Sequence, residues 1–159
     1  MTTPTTAQSI TPTPDHWLTG KIVVGVDGSR SSVLAVRKAG RLATLSGASV
    51  EAVIAWELPS RGPIVPVMTW SPEREAENVL SDVVRQVFGD AVPDWFTGRV
   101  VKGRATARLI QHSADADLLV IGSRGHGGFV GLLLGSVSAI CAEHARCPVL
   151  VVHAQPADE

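Results

Sequence analysis

Residues 117–138 read DLLVIGSRGHGGFVGLLLGSVS and combine a strand-like run, a glycine-rich segment and the start of a helix-like segment. Residues 118–121 form an apolar run with the length and composition of a buried strand. A glycine-rich segment follows, and Ser136 and Ser138 then stand at the start of a segment that is predicted to be helical. The loop begins where a strand ends, and open α/β sheets bind their ligands at such positions.

The alternation of strand-like and helix-like segments continues outside this stretch. The predicted strands cover residues 21–26, 49–56, 96–102, 117–121 and 148–153, and the predicted helices cover residues 31–46, 72–88, 105–113 and 136–144. Short strands that are apolar on both faces and are separated by helices are typical of parallel sheets that are covered on both sides. The sequence therefore predicts an α/β fold with a five-stranded, mostly parallel, doubly wound sheet and helices on both faces.

The two ends of the chain differ in composition from the middle. Residues 1–16 are rich in Thr and Pro and contain almost no aliphatic side chains, so they cannot bury enough surface to offset the entropy of ordering. We predict a flexible tail there and a second loose tail at residues 155–159. Residues 17–154 are predicted to form one domain, as expected for a chain of 159 residues.

Composition and charge exclude several classes of partner. The chain has 14 basic and 15 acidic residues and a formal net charge of -1, so it lacks the basic field that binds nucleic acids non-specifically. No apolar run approaches the roughly 20 residues of a transmembrane helix, and the N-terminus does not resemble a secretory signal. We therefore expect no nucleic-acid and no membrane partner. Cys141 and Cys147 match no common metal motif and are predicted to be reduced in a cytoplasmic protein.

The glycine-rich loop has the features of a phosphate-binding site. Glycines permit positive φ and close backbone approach, so that successive N–H groups can converge on one anion. The glycines are Gly122, Gly125, Gly127, Gly128, Gly131 and Gly135. The helix that follows would present unpaired N–H groups, the positive end of its dipole and the hydroxyls of Ser136 and Ser138 to a phosphate. The alternative interpretation is a flexible surface loop whose serine only caps the helix.

Two better-known phosphate motifs do not match this loop. The P-loop pattern GxxxxGK[ST] needs a lysine, and residues 121–138 contain none. The dinucleotide pattern GxGxxG fails at Val130, and it normally follows the first strand of its sheet rather than the fourth. Arg124 and His126 lie inside the loop, and the sequence leaves open whether they neutralise phosphate charge or are solvated.

The spacing of the loop resembles a known signature. Gly122-x2-Gly125-x9-Gly135-Ser136, together with KIVVGVDGS at residues 21–29 and CPVLVV at residues 147–152, resembles the nucleotide-binding pattern of the universal stress protein family. The resemblance covers most of the chain, from residue 21 to about residue 153. It implies that residues 17–154 form a nucleotide-binding domain and that ATP is the leading ligand.

The resemblance also implies roles for individual residues. Asp27, at the end of the first strand, is expected near the ribose or a bound magnesium ion. Gly25, Val26 and Trp56 are expected to line the adenine pocket. Trp56 stands where nucleotide-binding members commonly carry a smaller aliphatic residue, so its indole either stacks on adenine or fills the pocket. The ribose and phosphates are assigned to Gly122, Gly125, Gly135, Ser136, Val137 and Ser138, with Arg124 as a further contact.

The main functional prediction is a regulatory or stress-response protein in which ATP binding changes stability, dimer geometry or partner contacts. One alternative is a slow ATPase, for which Asp27 is the only candidate base. The other is an interaction module of the same fold without a bound nucleotide. Because the family often joins its last strands, the resemblance implies a homodimer through residues 149–153. The sequence leaves open the choice between ATP and other adenine nucleotides, including cyclic AMP.

Overall fold

The computed structural model describes residues 18–58, 71–125 and 134–154, and within these ranges five strands alternate with four helices. In chain order the elements are β1 (Lys21–Gly25), α1 (Arg30–Ser46), β2 (Ser49–Trp56), α2 (Pro72–Phe88), β3 (Phe96–Lys102), α3 (Ala105–His112), β4 (Leu118–Gly122), α4 (Ser136–His144) and β5 (Val149–Val152). The predicted tails at residues 1–16 and 155–159 lie outside the described residues, and so do His126, Gly127, Gly128 and Gly131.

Local sequence signals fix the ends of the two long helices. Before α1, the Ser29 side chain accepts a hydrogen bond from the Ser32 N–H, and Gly47 ends the helix in the left-handed conformation with a φ of 80°. Before α2, the Ser71 side chain accepts a hydrogen bond from the Arg74 N–H, and a proline occupies the first turn. These caps satisfy backbone groups that a helix end leaves unpaired, so they define where the helices begin.

The strands of the sheet run parallel, in the order β3-β2-β1-β4-β5. β1 lies at the centre, where Ile22 pairs with Val50 of β2 on one side and with Leu118 of β4 on the other. α1 and α2 pack on one face of the sheet, and α3 and α4 pack on the other. The predicted doubly wound α/β fold is confirmed, and the sheet is parallel throughout. No helix in the described ranges is long and apolar enough to cross a lipid bilayer.

Each face of the sheet buries its own apolar cluster, because successive side chains of a strand point to opposite faces. Ile22 and Val24 of β1 pack towards α1 and α2, whereas Val23 packs with Leu119 and Ile121 of β4 on the other face. These side chains are almost completely buried, and burial of each contributes about 1.5–3 kcal/mol to stability. The sheet is therefore a rigid platform for the residues at its carboxyl end.

The two cysteines are packing residues. Cys141 of α4 is completely buried in the cluster under α3 and α4, and burial raises the pKa of its thiol to about 11. Cys147 packs against the same cluster, and partial burial raises its pKa as well. Reactive cysteines have lowered pKa values, so neither thiol has the character of a nucleophile.

Candidate functional site

A cavity of about 680 Å³ lies at the carboxyl ends of β1 and β4. From β1 the chain continues to α1 on one face of the sheet, and the helix that follows β4 packs on the other face, so a crevice opens between the two connections. The volume is typical of small-molecule sites, which occupy roughly 300–1,000 Å³. Every predicted site residue except Trp56 lines this cavity: Gly25, Val26, Asp27, Gly122, Arg124, Gly125, Gly135, Ser136, Val137 and Ser138.

One wall of the cavity is apolar. It is formed by Val53, Ala55, Ala105, Leu109 and Ile121, none of which was among the predicted site residues. Side chains alternate between the two faces along β2, so Val53 and Ala55 share a face. This alternation is the sequence pattern from which both residues could have been predicted at the site. Gly25 is small at this wall for a steric reason: a Cβ there would lie 3.1 Å from Leu109 Cδ1 and 3.2 Å from Ile121 Cγ2.

A second part of the lining, here called the polar wall, consists of backbone amides and short polar side chains, with Leu134 and Val137 beside them. The Gly135 N–H donates a 2.7 Å hydrogen bond to the Ser123 carbonyl, which holds the start of α4 beside the end of β4. Gly135 is the N-cap of α4, and no side chain of the described residues caps this helix. The first-turn N–H groups of α4 have no intrahelical acceptor and stand at the positive end of the helix dipole. This wall therefore suits an anionic group.

The Ser138 hydroxyl has a different role from the one predicted. Ser138 is 3% exposed, and its Oγ donates a 2.7 Å hydrogen bond to the Gly122 carbonyl. A hydroxyl has one hydrogen to donate, so this bond uses the donor that the sequence analysis offered to a phosphate. Ser138 lines the cavity but anchors α4 to β4, whereas the Ser136 side chain is exposed at the start of the helix.

Asp27 is exposed at the cavity, with one carboxylate oxygen already engaged. Its Oδ1 accepts a 2.9 Å hydrogen bond from the Ser29 N–H, and its Oδ2 faces Gly125, where an added Cβ would collide with it. Among the described lining residues, Asp27 and Arg124 are the charged ones. No group of three or more metal-ligating side chains occurs in the described parts of the chain, so a cation here would depend on Asp27 and on the ligand itself.

The structure does not bring Trp56 to the cavity, and the expectation that it lines an adenine pocket is corrected. Trp56 packs against the cluster between the sheet and the pair α1 and α2, and the Lys102 ammonium lies 5.5 Å from the centre of its ring. The physical reason is the alternation of side chains in β2, which turns Ala55 to the cavity and Trp56 to the other face. Among the described residues, the indole therefore lies outside the cavity lining.

A model of the universal stress protein family matches residues 19–153. Among curated proteins, a universal stress protein of Mycobacterium tuberculosis is 36% identical over 144 residues, which cover 90% of this chain and 48% of the relative. The chain spans about half the length of the curated relatives it matches.

Solved structures show the same likeness. A universal stress protein of Lactobacillus plantarum aligns with a TM-score of 0.71 at 20% identity, covering 85% of this chain and 98% of that chain. A universal stress protein in complex with cAMP aligns with a TM-score of 0.64 at 30% identity, covering 86% of this chain and 98% of that chain. The first supports the fold, and the second is a similar protein with an adenine nucleotide bound.

Proposed function

This chain belongs to the universal stress protein family, and from that premise we propose that it binds an adenine nucleotide, with ATP as the leading ligand, in the cavity between β1 and β4. Binding would change the stability of the chain or its contacts with partners, in a regulatory or stress-response role. The observation that carries this proposal is the division of the cavity into an apolar wall and a wall of amides. A nucleotide has the same division, with an aromatic base at one end and an anion at the other.

The apolar wall suits the base. Leu109 and Ile121 are 5% and 2% exposed, so they form a firmly packed surface, and Ala55 and Ala105 are small enough to leave the cavity open. An aromatic base that covers the half-buried Ala55 and Ala105 removes their apolar surface from water, at roughly 25 cal/mol per Å². An indole that filled the cavity would have favoured the alternative of an interaction module without a nucleotide. Trp56 packs on the other face of the sheet, so it does not support that alternative.

The polar wall suits phosphates. The first turn of α4 offers N–H groups at its positive end, Ser136 offers an exposed hydroxyl, and Arg124 adds a positive charge. The Asp27 carboxylate on the same cavity would repel a phosphate unless a cation lay between them. A carboxylate oxygen and phosphate oxygens together form the ligand set that Mg²⁺ prefers, so we include magnesium in the proposal.

The similar structure in complex with cAMP supports the class of ligand. We favour ATP because the N-terminus of α4, Arg124 and Asp27 with a cation provide more contacts for anionic oxygens than one cyclic phosphate requires.

Calorimetric titration of the full chain with ATP, ADP, AMP, cAMP and adenosine, each in magnesium buffer, tests the proposal. GTP serves as the control for the base. We expect saturable binding of one ligand per chain, with ATP the tightest and GTP markedly weaker. Tighter binding of cAMP than of ATP would correct the ligand, and absence of binding to every adenine compound at millimolar concentration would overturn the proposal.

We also propose a homodimer that forms through β5. This strand lies at the edge of the sheet, and its residues Val149, Leu150 and Val151 are only half-buried. The Pro148 and Val152 carbonyls accept hydrogen bonds from the chain of β4, so Val149 and Val151 turn their backbone groups to the open edge. An apolar edge with outward N–H and C=O groups is a template for pairing with a second copy.

A cytoplasmic location belongs to the same proposal. Cys141 and Cys147 are free thiols, and free thiols fit a reducing compartment. Fractionation of cells that produce the protein, followed by immunodetection in the cytoplasmic fraction, checks this location.

A further inference from the structure

Two serine hydroxyls at the start of α1 hold one carbonyl of the loop that follows β4. Ser31 Oγ donates a short hydrogen bond to the Arg124 carbonyl, and Ser29 Oγ donates to the same oxygen across 3.3 Å. The two hydroxyl oxygens are 3.2 Å apart, and Ser31 is 4% exposed. These contacts join the segment that follows β1 to the segment that follows β4, although 93 residues separate Ser31 from Arg124.

The packing around Ser31 leaves its side chain little freedom. A Cβ on Gly122 would collide with the Ser31 side chain and backbone, so the glycine is what allows α1 to approach β4 so closely. The first turn of α1 is itself braced, because the Ser32 N–H donates to Ser29 Oγ at 3.2 Å and Ser32 Oγ donates to the Ser29 carbonyl at 2.9 Å. The Ser31 hydroxyl is therefore held in position to donate to the Arg124 carbonyl.

Fixing this carbonyl also fixes the direction of the next amide. The described residues contain no cis peptide bond, and in a trans peptide the C=O and the following N–H point in opposite directions. With the Arg124 carbonyl turned to Ser31, the Gly125 N–H points away from α1. The Gly125 nitrogen lies 3.8 Å from the position of a Cβ on Gly135, at the start of α4, and no described residue accepts a hydrogen bond from it.

We propose that Ser31, assisted by Ser29, is a positioning residue for phosphate recognition. It orients the Arg124–Gly125 peptide so that the Gly125 N–H and the first-turn amides of α4 face the same phosphate group. Ser31 is not among the described residues that line the cavity, so it acts through this peptide and not on the ligand. The inference rests on the proposed nucleotide binding and specifies which end of the ligand this serine controls.

The test compares Ser31→Ala with a matched variant, Ser113→Ala. Ser113 is also a buried serine whose hydroxyl donates to a backbone carbonyl, that of Ile110 at 3.2 Å, and it does not line the cavity. Calorimetric titration of the full chain with AMP and with adenosine separates the phosphate end from the base end. For Ser31→Ala we expect AMP affinity to fall about threefold to tenfold, with adenosine affinity within about twofold of wild type. For Ser113→Ala the ratio of the two affinities should equal that of wild type.

An equal loss for AMP and adenosine in Ser31→Ala, or no loss for either, would overturn the positioning role while leaving nucleotide binding in place. A wild-type chain that binds neither compound would instead overturn the proposed function and this inference with it.

A second measurement on the wild-type chain does not depend on how well the variant folds. In an amide ¹H–¹⁵N correlation spectrum, the Gly125 resonance should move strongly on addition of AMP and little on addition of adenosine. A Gly125 amide that responds equally to both compounds, or to neither at saturation, would contradict the proposed orientation.

Discussion

The Ser138 hydroxyl donates a 2.7 Å hydrogen bond to the Gly122 carbonyl and so joins the first turn of α4 to the last residue of β4. Both residues line the cavity, and Ser138 is 3% exposed. The bond sets the position of the helix N-terminus relative to the strand end, and the polar wall is built from these two parts. The geometry of the anion site thus depends on a hydroxyl that does not itself face the anion.

Ser138→Ala should therefore lower both stability and ATP affinity. Loss of a buried hydrogen bond that leaves a carbonyl without its partner costs about 1–2 kcal/mol in the free energy of unfolding. Urea unfolding and calorimetric titration measure the two effects, and Ser136→Ala, at an exposed position of the same turn, should leave the stability nearly unchanged. Unchanged stability of Ser138→Ala with a large loss of affinity would favour the direct phosphate contact that the sequence analysis assigned to this hydroxyl.

Substitution of two adjacent residues of β2 tests which of them faces the ligand. Ala55→Leu should block the apolar wall and abolish detectable ATP binding, because Ala55 lines the cavity. Trp56→Leu should leave ATP affinity within about twofold of wild type while lowering stability by about 1–3 kcal/mol, since the indole packs in the other cluster. Titration of both folded variants with ATP measures the two affinities. A large loss for Trp56→Leu together with near-wild-type affinity for Ala55→Leu would place Trp56 at the adenine site.

Much of the fold could be predicted because its signals are local. Ser71 and Pro72 are a local signal for the start of α2, and continuous apolar runs are a local signal for the strands. The strand order β3-β2-β1-β4-β5 comes from pairings between distant segments, and a single sequence does not encode these in any local pattern.

The parts of the candidate site that are built from backbone groups could be predicted from the sequence. The parts that depend on the direction of a side chain could not. The spacing of Gly122, Gly125 and Gly135 indicated the polar wall, and these residues do line the cavity. Trp56 was misplaced because the face that a strand residue occupies depends on the register of β2 in the sheet. The hydrogen bond from Ser31 to the Arg124 carbonyl joins segments that meet only in the folded chain, so no local pattern predicts it.

Asp27→Asn tests the proposed magnesium site. Removal of the charge keeps an oxygen that accepts from the Ser29 N–H but weakens the cation ligand. We expect the wild type to bind ATP several-fold more tightly with Mg²⁺ than with EDTA, and the variant to show little difference between the two conditions. If magnesium strengthens ATP binding equally in both proteins, the cation is held without Asp27.

Val151→Pro tests the pairing of β5 without removing a bond inside the sheet. The N–H of Val151 faces the open edge, so proline removes a donor only from the proposed contact with a second copy. We expect the wild type to elute as a dimer and Val151→Pro as a monomer when mass is measured by light scattering. Val151→Thr, which keeps the N–H, is the matched control and should remain dimeric. A monomeric wild type would reject the dimer.

The buried Cys141 thiol predicts a specific pH dependence of stability. Its pKa is raised from 9.0 to about 11, so the stabilisation from the neutral buried thiol is complete below pH 9 and is lost as the pH rises through about 11. The difference in free energy of unfolding between wild type and Cys141→Ala should therefore shrink over this range in urea titrations. A difference that stays constant from pH 8 to about 11 would show that the thiol is not desolvated.

A crystal structure of the full chain grown with ATP and magnesium would show where the nucleotide binds. We expect electron density for the nucleotide between β1 and β4, with the base against Ala55 and Ala105 and a phosphate within hydrogen-bonding distance of the Gly125 N–H and the first turn of α4. An empty cavity at saturating ATP, or a nucleotide bound elsewhere on the chain, would contradict it.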